Sequence, residues 1–158
     1  MLFTLLVVYF ILEFYFLNMI SFLLKIRQPV RIFLVITYVG CIAALSLLPS
    51  KDFPQLPLFE GFDKVVHFLM YFIFSVLFSW SIKTEFNYFR LLFIIPVTIG
   101  WGILMEFMQL SMHLGRSFSW YDVLANSIGV FAGILLYILI SRNFIKKPRQ
   151  KLLPGGDE

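Results

Sequence analysis

Five apolar stretches, each long enough to cross a bilayer as a helix, decide what this chain can be. A membrane-spanning helix needs about 20 apolar residues, within a range of roughly 17–25. The stretches run from about Leu2 to Leu24, Ile32 to Leu48, Val65 to Ile82, Leu91 to Met112 and Asp122 to Ile140. Hydrocarbon offers no partner to a backbone N–H or C=O, so segments of this length must be helical. The expected fold class is therefore all-α, a polytopic transmembrane helix bundle of about five membrane spans. Residues 1–30 read as an extra N-terminal transmembrane helix and its basic loop. Residues 31–141 read as a four-helix transmembrane domain, and residues 142–158 as a basic cytoplasmic tail, too polar to order itself.

Composition agrees. Hydrophobic residues make up 60% of the 158, charged residues 14%, and the mean hydropathy is +0.89. Soluble domains carry about 25% charged residues. The chain is too short for two domains. The first span has no basic residue before Lys25 and no small-residue cleavage site, so it reads as a retained helix rather than a signal peptide. Met19 is an alternative start that would keep the other four spans.

The net charge is +4, but the basic residues gather beside apolar spans, at Lys25, Arg27 and Arg31 and again at Arg142, Lys146, Lys147, Arg149 and Lys151. Such clusters set topology and meet anionic headgroups, so no nucleic-acid partner is expected. The loop around Asp52–Gly61 is slightly acidic and that at His113–Tyr121 nearly neutral. Cytoplasmic loops carry the excess of Lys and Arg, which puts the N-terminus outside and the C-terminus in the cytoplasm. The lone Cys41 cannot form an internal disulfide and reads as a small buried residue.

Against this background the polar residues stand out. Asp63, Lys64, His67 and Tyr71 open the third span, Glu106 and Gln109 close the fourth with Arg116 just beyond, and Asp122 and Asn126 open the fifth. All fall at the extracytoplasmic face. Ionisable groups beside hydrocarbon are costly, and their concentration at one face reads as a site. At 100° per residue, Lys64, His67, Tyr71 and Ser75 share one stripe, Glu106, Gln109 and His113 a second, and Asp122, Asn126, Gly129 and Gly133 a third.

Each has a plainer reading. Gly129 and Gly133 are a small-residue packing step. Asp122 and Asp63 each suit a helix N-cap. Lys64 can snorkel to headgroups, and Arg116 can meet lipid phosphate. Pro96, with Gly100 and Gly102, suggests a kink in the fourth helix. Trp80, Trp101 and Trp120 read as interface or packing aromatics. Glu106 resists dismissal, because lipid exposure there would cost roughly 2–3 kcal/mol or more. It should face the bundle and find a donor, with Arg116, His67, Lys64 and Gln109 as candidates. No HExxH, GxSxG or Walker loop is present. His67, Glu106 and Asp122 are the three groups able to share an ion, but the reading takes no metal and no cofactor.

The combination Asp63-Lys64-x-x-His67-Phe68-x-x-Tyr71, Glu106-x-x-Gln109, Arg116, then Asp122-x-x-x-Asn126-x-x-Gly129-x-x-x-Gly133 resembles the VanZ-like family of small bacterial membrane proteins. The likeness runs from about Arg31 to Ile140 and leaves out the first span. The family usually carries a further acidic or polar residue between the Arg and the Asp; here Ser117–Tyr121 holds no acid. The family's namesake is associated with teicoplanin resistance. The resemblance implies a multi-pass protein of the bacterial cytoplasmic membrane with a fixed polar site, and no particular reaction.

Two functions stay open on these residues. One is a non-enzymatic binder of an anionic envelope lipid or cell-wall precursor. Lys64, His67 and Arg116 would then hold the anion, while Asp63, Tyr71, Glu106, Gln109, Asp122 and Asn126 orient them. The other is an enzyme on a lipid-linked substrate, with His67 or Glu106 as general base. Membrane lipids are the expected partners of either.

Overall fold

The computed structural model describes residues 2–48, 61–82, 88–112 and 118–144. They form five helices: α1 (Leu2–Lys25), α2 (Gln28–Leu47), α3 (Phe62–Ser81), α4 (Tyr88–Met112) and α5 (Trp120–Phe144). All five are long and apolar enough to cross a membrane, and no strand occurs among the described residues. Each helix outruns its apolar stretch or matches it within a residue or two. The additions are interfacial: Pro29 in the first turn of α2, where its missing N–H costs nothing, and Arg142 in the last turn of α5. Arg142 to Phe144 thus belong to a helix, not to the tail; residues 145–158 lie outside the described residues.

The bundle is built on α3 and α5. They run parallel, with α4 returning between them, and form the most extensive helix pair. The reason is glycine. A Cβ on Gly129 would stand 2.3 Å from the Phe68 carbonyl oxygen, and one on Gly133 would stand 2.5 Å from that of Phe72. Only hydrogen fits, and without a hydrophobic driving force in lipid, such close approach is what holds helices together. α2 packs on α3 and α4. Ile42, Tyr71, Phe74, Ile94, Met105 and Val130 fill the centre.

The lipid side is the outside. Phe33, Phe93, Phe107, Leu135 and their like are exposed. Cys41 is exposed as well, not buried as expected: in a membrane a small apolar residue gains nothing by avoiding the surface. α1 is the most peripheral helix; even Glu13 and Asn18 are exposed rather than turned to the bundle. An apolar cleft of about 190 Å³ separates its C-terminal half from Val76, Trp80 and Tyr137.

What ties α1 down is Arg31, a residue whose expected part was topological charge. It is buried, donates to the carbonyls of Leu24 at 2.6 Å and Ile26 at 2.8 Å, and reaches that of Trp80 at 3.3 Å. Its guanidinium stands 5.0 Å from the Trp80 ring centroid. One planar cation thus satisfies the carbonyl ends of α1 and α3, which lack partners of their own.

Candidate functional site

At the opposite end of the bundle, α3 begins, α4 ends and α5 begins. The first turns explain how the polar groups are aimed. Gly61, at φ 86°, precedes α3, so Asp63 lies in the first turn and is not the cap. It pairs with Lys64. At α5 the cap is Ser119: its carbonyl accepts from Asp122 and Val123, and its Oγ lies 3.3 Å from the Asp122 N–H. In a capping box the acid three residues on would reach back to the cap's own N–H. Here Glu106 Oε2, from α4, accepts that Ser119 N–H at 3.2 Å. Asp122 is thereby released from capping, and its carboxylate turns to α3.

There it meets two cations or potential cations. Asp122 Oδ1 is 3.5 Å from Lys64 Nζ, and Asp122 Oδ2 is 3.9 Å from His67 Nε2. The other ring nitrogen, His67 Nδ1, lies 3.1 Å from Asn126 Oδ1. An amide oxygen only accepts, so Nδ1 carries the proton. The helical stripes therefore face each other in register: Lys64 and His67 against Asp122 and Asn126, then Phe68 and Phe72 against Gly129, then Ser75 against Gly133.

Beneath this layer the polar side chains are buried. Glu106 is 1% exposed, Asn126 2% and Gln109 4%. Gln109 Nε2 donates to the Ser46 carbonyl at 2.8 Å, anchoring the end of α2. Tyr71 is buried, within electrostatic range of Glu106, and its hydroxyl has no hydrogen-bond partner among the described residues. Gly102 makes the room: a Cβ there would stand 3.1 Å from both Asn126 Nδ2 and the Tyr71 ring. The sequence suggested Gly102 for a kink, but its use is to admit two side chains of the site. One ligand atom from each of His67, Glu106 and Asp122 lies within 4.8 Å of the others.

Of the residues singled out from sequence, the structure thus brings together Asp63, Lys64, His67, Tyr71, Glu106, Asp122 and Asn126. Gln109 is nearby but spent on Ser46. Arg116 and His113 lie outside the described residues. Ser119 was missed, though a serine three residues before an acid is a capping signature.

The unpartnered hydroxyl makes a prediction. Tyr71→Phe should leave thermal stability unchanged or raise it by up to about 1 kcal/mol, since it removes a polar group buried at a cost. A melting curve that falls by several degrees would mean the hydroxyl has a partner.

A multi-pass helical membrane protein with a buried polar cluster under one face is the class this fold and site define. The chain belongs to the VanZ/LLP1 family, whose pattern matches residues 1–141. The match includes α1, which the motif resemblance left outside. Comparison with curated proteins and with solved structures gives no match.

Proposed function

We propose that this protein is a non-enzymatic component of the bacterial cytoplasmic membrane, N-terminus outside and C-terminus inside, that binds an anionic envelope lipid or lipid-linked cell-wall precursor at its outer face. The observation that carries the reading is the order of burial. The Lys64 side chain is 40% exposed at the rim, while Glu106, Asn126 and Gln109 are sealed behind it. A lysine that reaches headgroup level, steered by carboxylates from two helices, can exchange Asp63 for a phosphate. Arg116, by its sequence position, would approach the same anion from the loop after α4, with the bidentate geometry suited to phosphate. His67, held by Asn126 and Asp122, is positioned to donate once protonated.

The test is anionic-lipid retention by the intact chain purified in detergent, using phosphatidylglycerol and a polyprenyl phosphate as probes against phosphatidylcholine. Lys64→Ala and Arg116→Ala should each lower retention of the anionic lipids by roughly 5-fold, the effect of about 1 kcal/mol. Equal retention by both variants would overturn the proposal. The enzymatic alternative draws on the His67–Asp122 pair, which resembles a general base with its orienting carboxylate. It predicts a lipid-linked product that disappears from a deletion strain and is not restored by folded His67→Ala or Glu106→Gln.

A further inference from the structure

The cleft beside α1 lies at the end of the bundle away from the polar cluster. Its walls come from three helices: Leu23 and Leu24 of α1, Val76 and Trp80 of α3, and Tyr137 and Ile140 of α5. They enclose about 190 Å³ and present almost no polar surface. α1 makes no extensive contact with any other helix, and among its described side chains only Ile20 is buried. Protein therefore does not close the space. An empty void would forfeit the dispersion contacts of its walls, and water finds no partners in an apolar cavity, which stays dry. A whole transmembrane helix, about 10–12 Å across, is too wide for it. A single acyl chain is slender and flexible enough, and it is the filler that a bilayer supplies.

We propose that this cleft holds one acyl chain of an anionic phospholipid whose headgroup sits against Lys25 and Arg27. Both side chains are exposed, and both follow directly on the α1 wall: Lys25 is next to Leu24, and Arg27 precedes the first turn of α2. Arg142 lies two residues beyond Ile140, in the last turn of α5. Charge at this end is one-sided. Arg31 is buried, braces the wall residues Leu24 and Trp80, and pairs with no carboxylate among the described residues. It adds positive potential, and its donors are spent on backbone carbonyls, so the headgroup falls to Lys25 and Arg27. The helices that form the walls all end here in carbonyls, which by themselves repel an anion; the attraction therefore rests on side chains. Basic residues beside a span draw in anionic headgroups, and the cleft decides where the tail goes. The lipid then completes the packing of α1, whose direct hold on the bundle is the Arg31 bridge. This site is separate from the outer-face anion site and does not rest on it; under the orientation proposed above, its lipid comes from the cytoplasmic leaflet.

The test uses the full chain with Trp101→Phe and Trp120→Phe, which leaves Trp80 as its only tryptophan. In neutral detergent it is titrated with phosphatidylglycerol or phosphatidylcholine brominated on the acyl chains, since bromine quenches an indole only at contact. Phosphatidylglycerol should quench Trp80 saturably, with one site per chain, and bind at least about 5-fold more tightly than phosphatidylcholine. Lys25→Gln and Arg27→Gln should each weaken phosphatidylglycerol by about 5-fold, the usual effect of one basic residue beside an anionic headgroup, and leave phosphatidylcholine unchanged. Val76→Phe and Ile140→Phe fill the cleft from two walls and should abolish the saturable quenching while keeping the parent's size-exclusion profile. Lys64→Ala, at the far end of the bundle, should leave the quenching as it is. Quenching that never saturates, that is equal for the two lipids, or that survives in both filled variants would overturn the proposal, as would its loss in Lys64→Ala. Disulfide-linked dimers of a Leu23→Cys, Cys41→Ser chain, with Trp80 beyond the reach of either lipid, would give the cleft to a second copy and overturn it too. If Trp80 responds as described while Lys64→Ala and Arg116→Ala leave lipid retention intact, the outer-face reading fails alone.

Discussion

Gly129→Leu should leave almost no folded protein. A Cβ at Gly129 comes within 2.3 Å of the Phe68 carbonyl oxygen and 3.0 Å of the Phe72 nitrogen. Both are backbone atoms of a helix, committed to its hydrogen-bond ladder, so neither can turn aside as a side chain would. α3 and α5 would have to separate, and their contact is the largest in the bundle. Overpacking a well-filled core commonly costs 1–3 kcal/mol for a few methylenes. Gly129→Ala should cost at least that much, and leucine should exceed the stability of an ordinary domain of this size. Gly133→Ala should be close behind: its Cβ meets Ser75 Oγ at 2.1 Å, which can rotate, but also the Phe72 carbonyl oxygen at 2.5 Å, which cannot. Gly40 and Gly100 have nothing within 4 Å, and alanine at either should be tolerated. Size-exclusion profiles and thermal unfolding in detergent read all four. A monodisperse Gly129→Leu with an unshifted midpoint would refute the packing described for α3 and α5.

The same glycines show what could be read from residues alone. Gly129 and Gly133 fall on the stripe with Asp122 and Asn126, and in a helix that periodicity fixes which face is shared. It was enough to show which face of α5 packs closely and to gather the polar residues at one end. Spans were legible for a similar reason: hydrocarbon thickness sets their length whatever they pack against. What periodicity could not supply was the identity of partners across helices. Glu106 suggested a side-chain partner, and nothing in its own span announced that it also accepts from the backbone of Ser119, a contact made by the turn into α5. The capping roles given to Asp63 and Asp122 belong to Gly61 and Ser119, because the helices begin before the apolar run does. Gly102 looked like part of a kink with Pro96, and nothing in its own helix says that Tyr71 and Asn126 come to rest against it. The burial of the Arg31 side chain was equally unreadable, since a cation at the edge of a span has an adequate explanation in topology alone.

Arg31 is where those two explanations part. If it serves only as a cytoplasmic charge, lysine should replace it without loss. The structure predicts otherwise. Arg31 donates to Leu24 and Ile26 at the end of α1 and reaches Trp80 at the end of α3, from beneath the Trp80 ring. Hydrogen bonds from a charged donor contribute roughly 1.5–3 kcal/mol each, and part of this is recovered by water at the membrane surface once the guanidinium is gone. Arg31→Ala should therefore lose about 2–4 kcal/mol, seen as a lower unfolding midpoint. Arg31→Lys keeps the charge, and with it the topology, but an ammonium donates from one nitrogen where Arg31 uses three separate ones, and it cannot stack on an indole as the planar fork does. It should recover less than half of the loss while a reporter fused to the C-terminus stays on the wild-type side of the membrane. A lysine variant as stable as the parent would show that Arg31 acts by charge alone, and that the hydrogen bonds joining α1 to α2 and α3 contribute little to holding the bundle together.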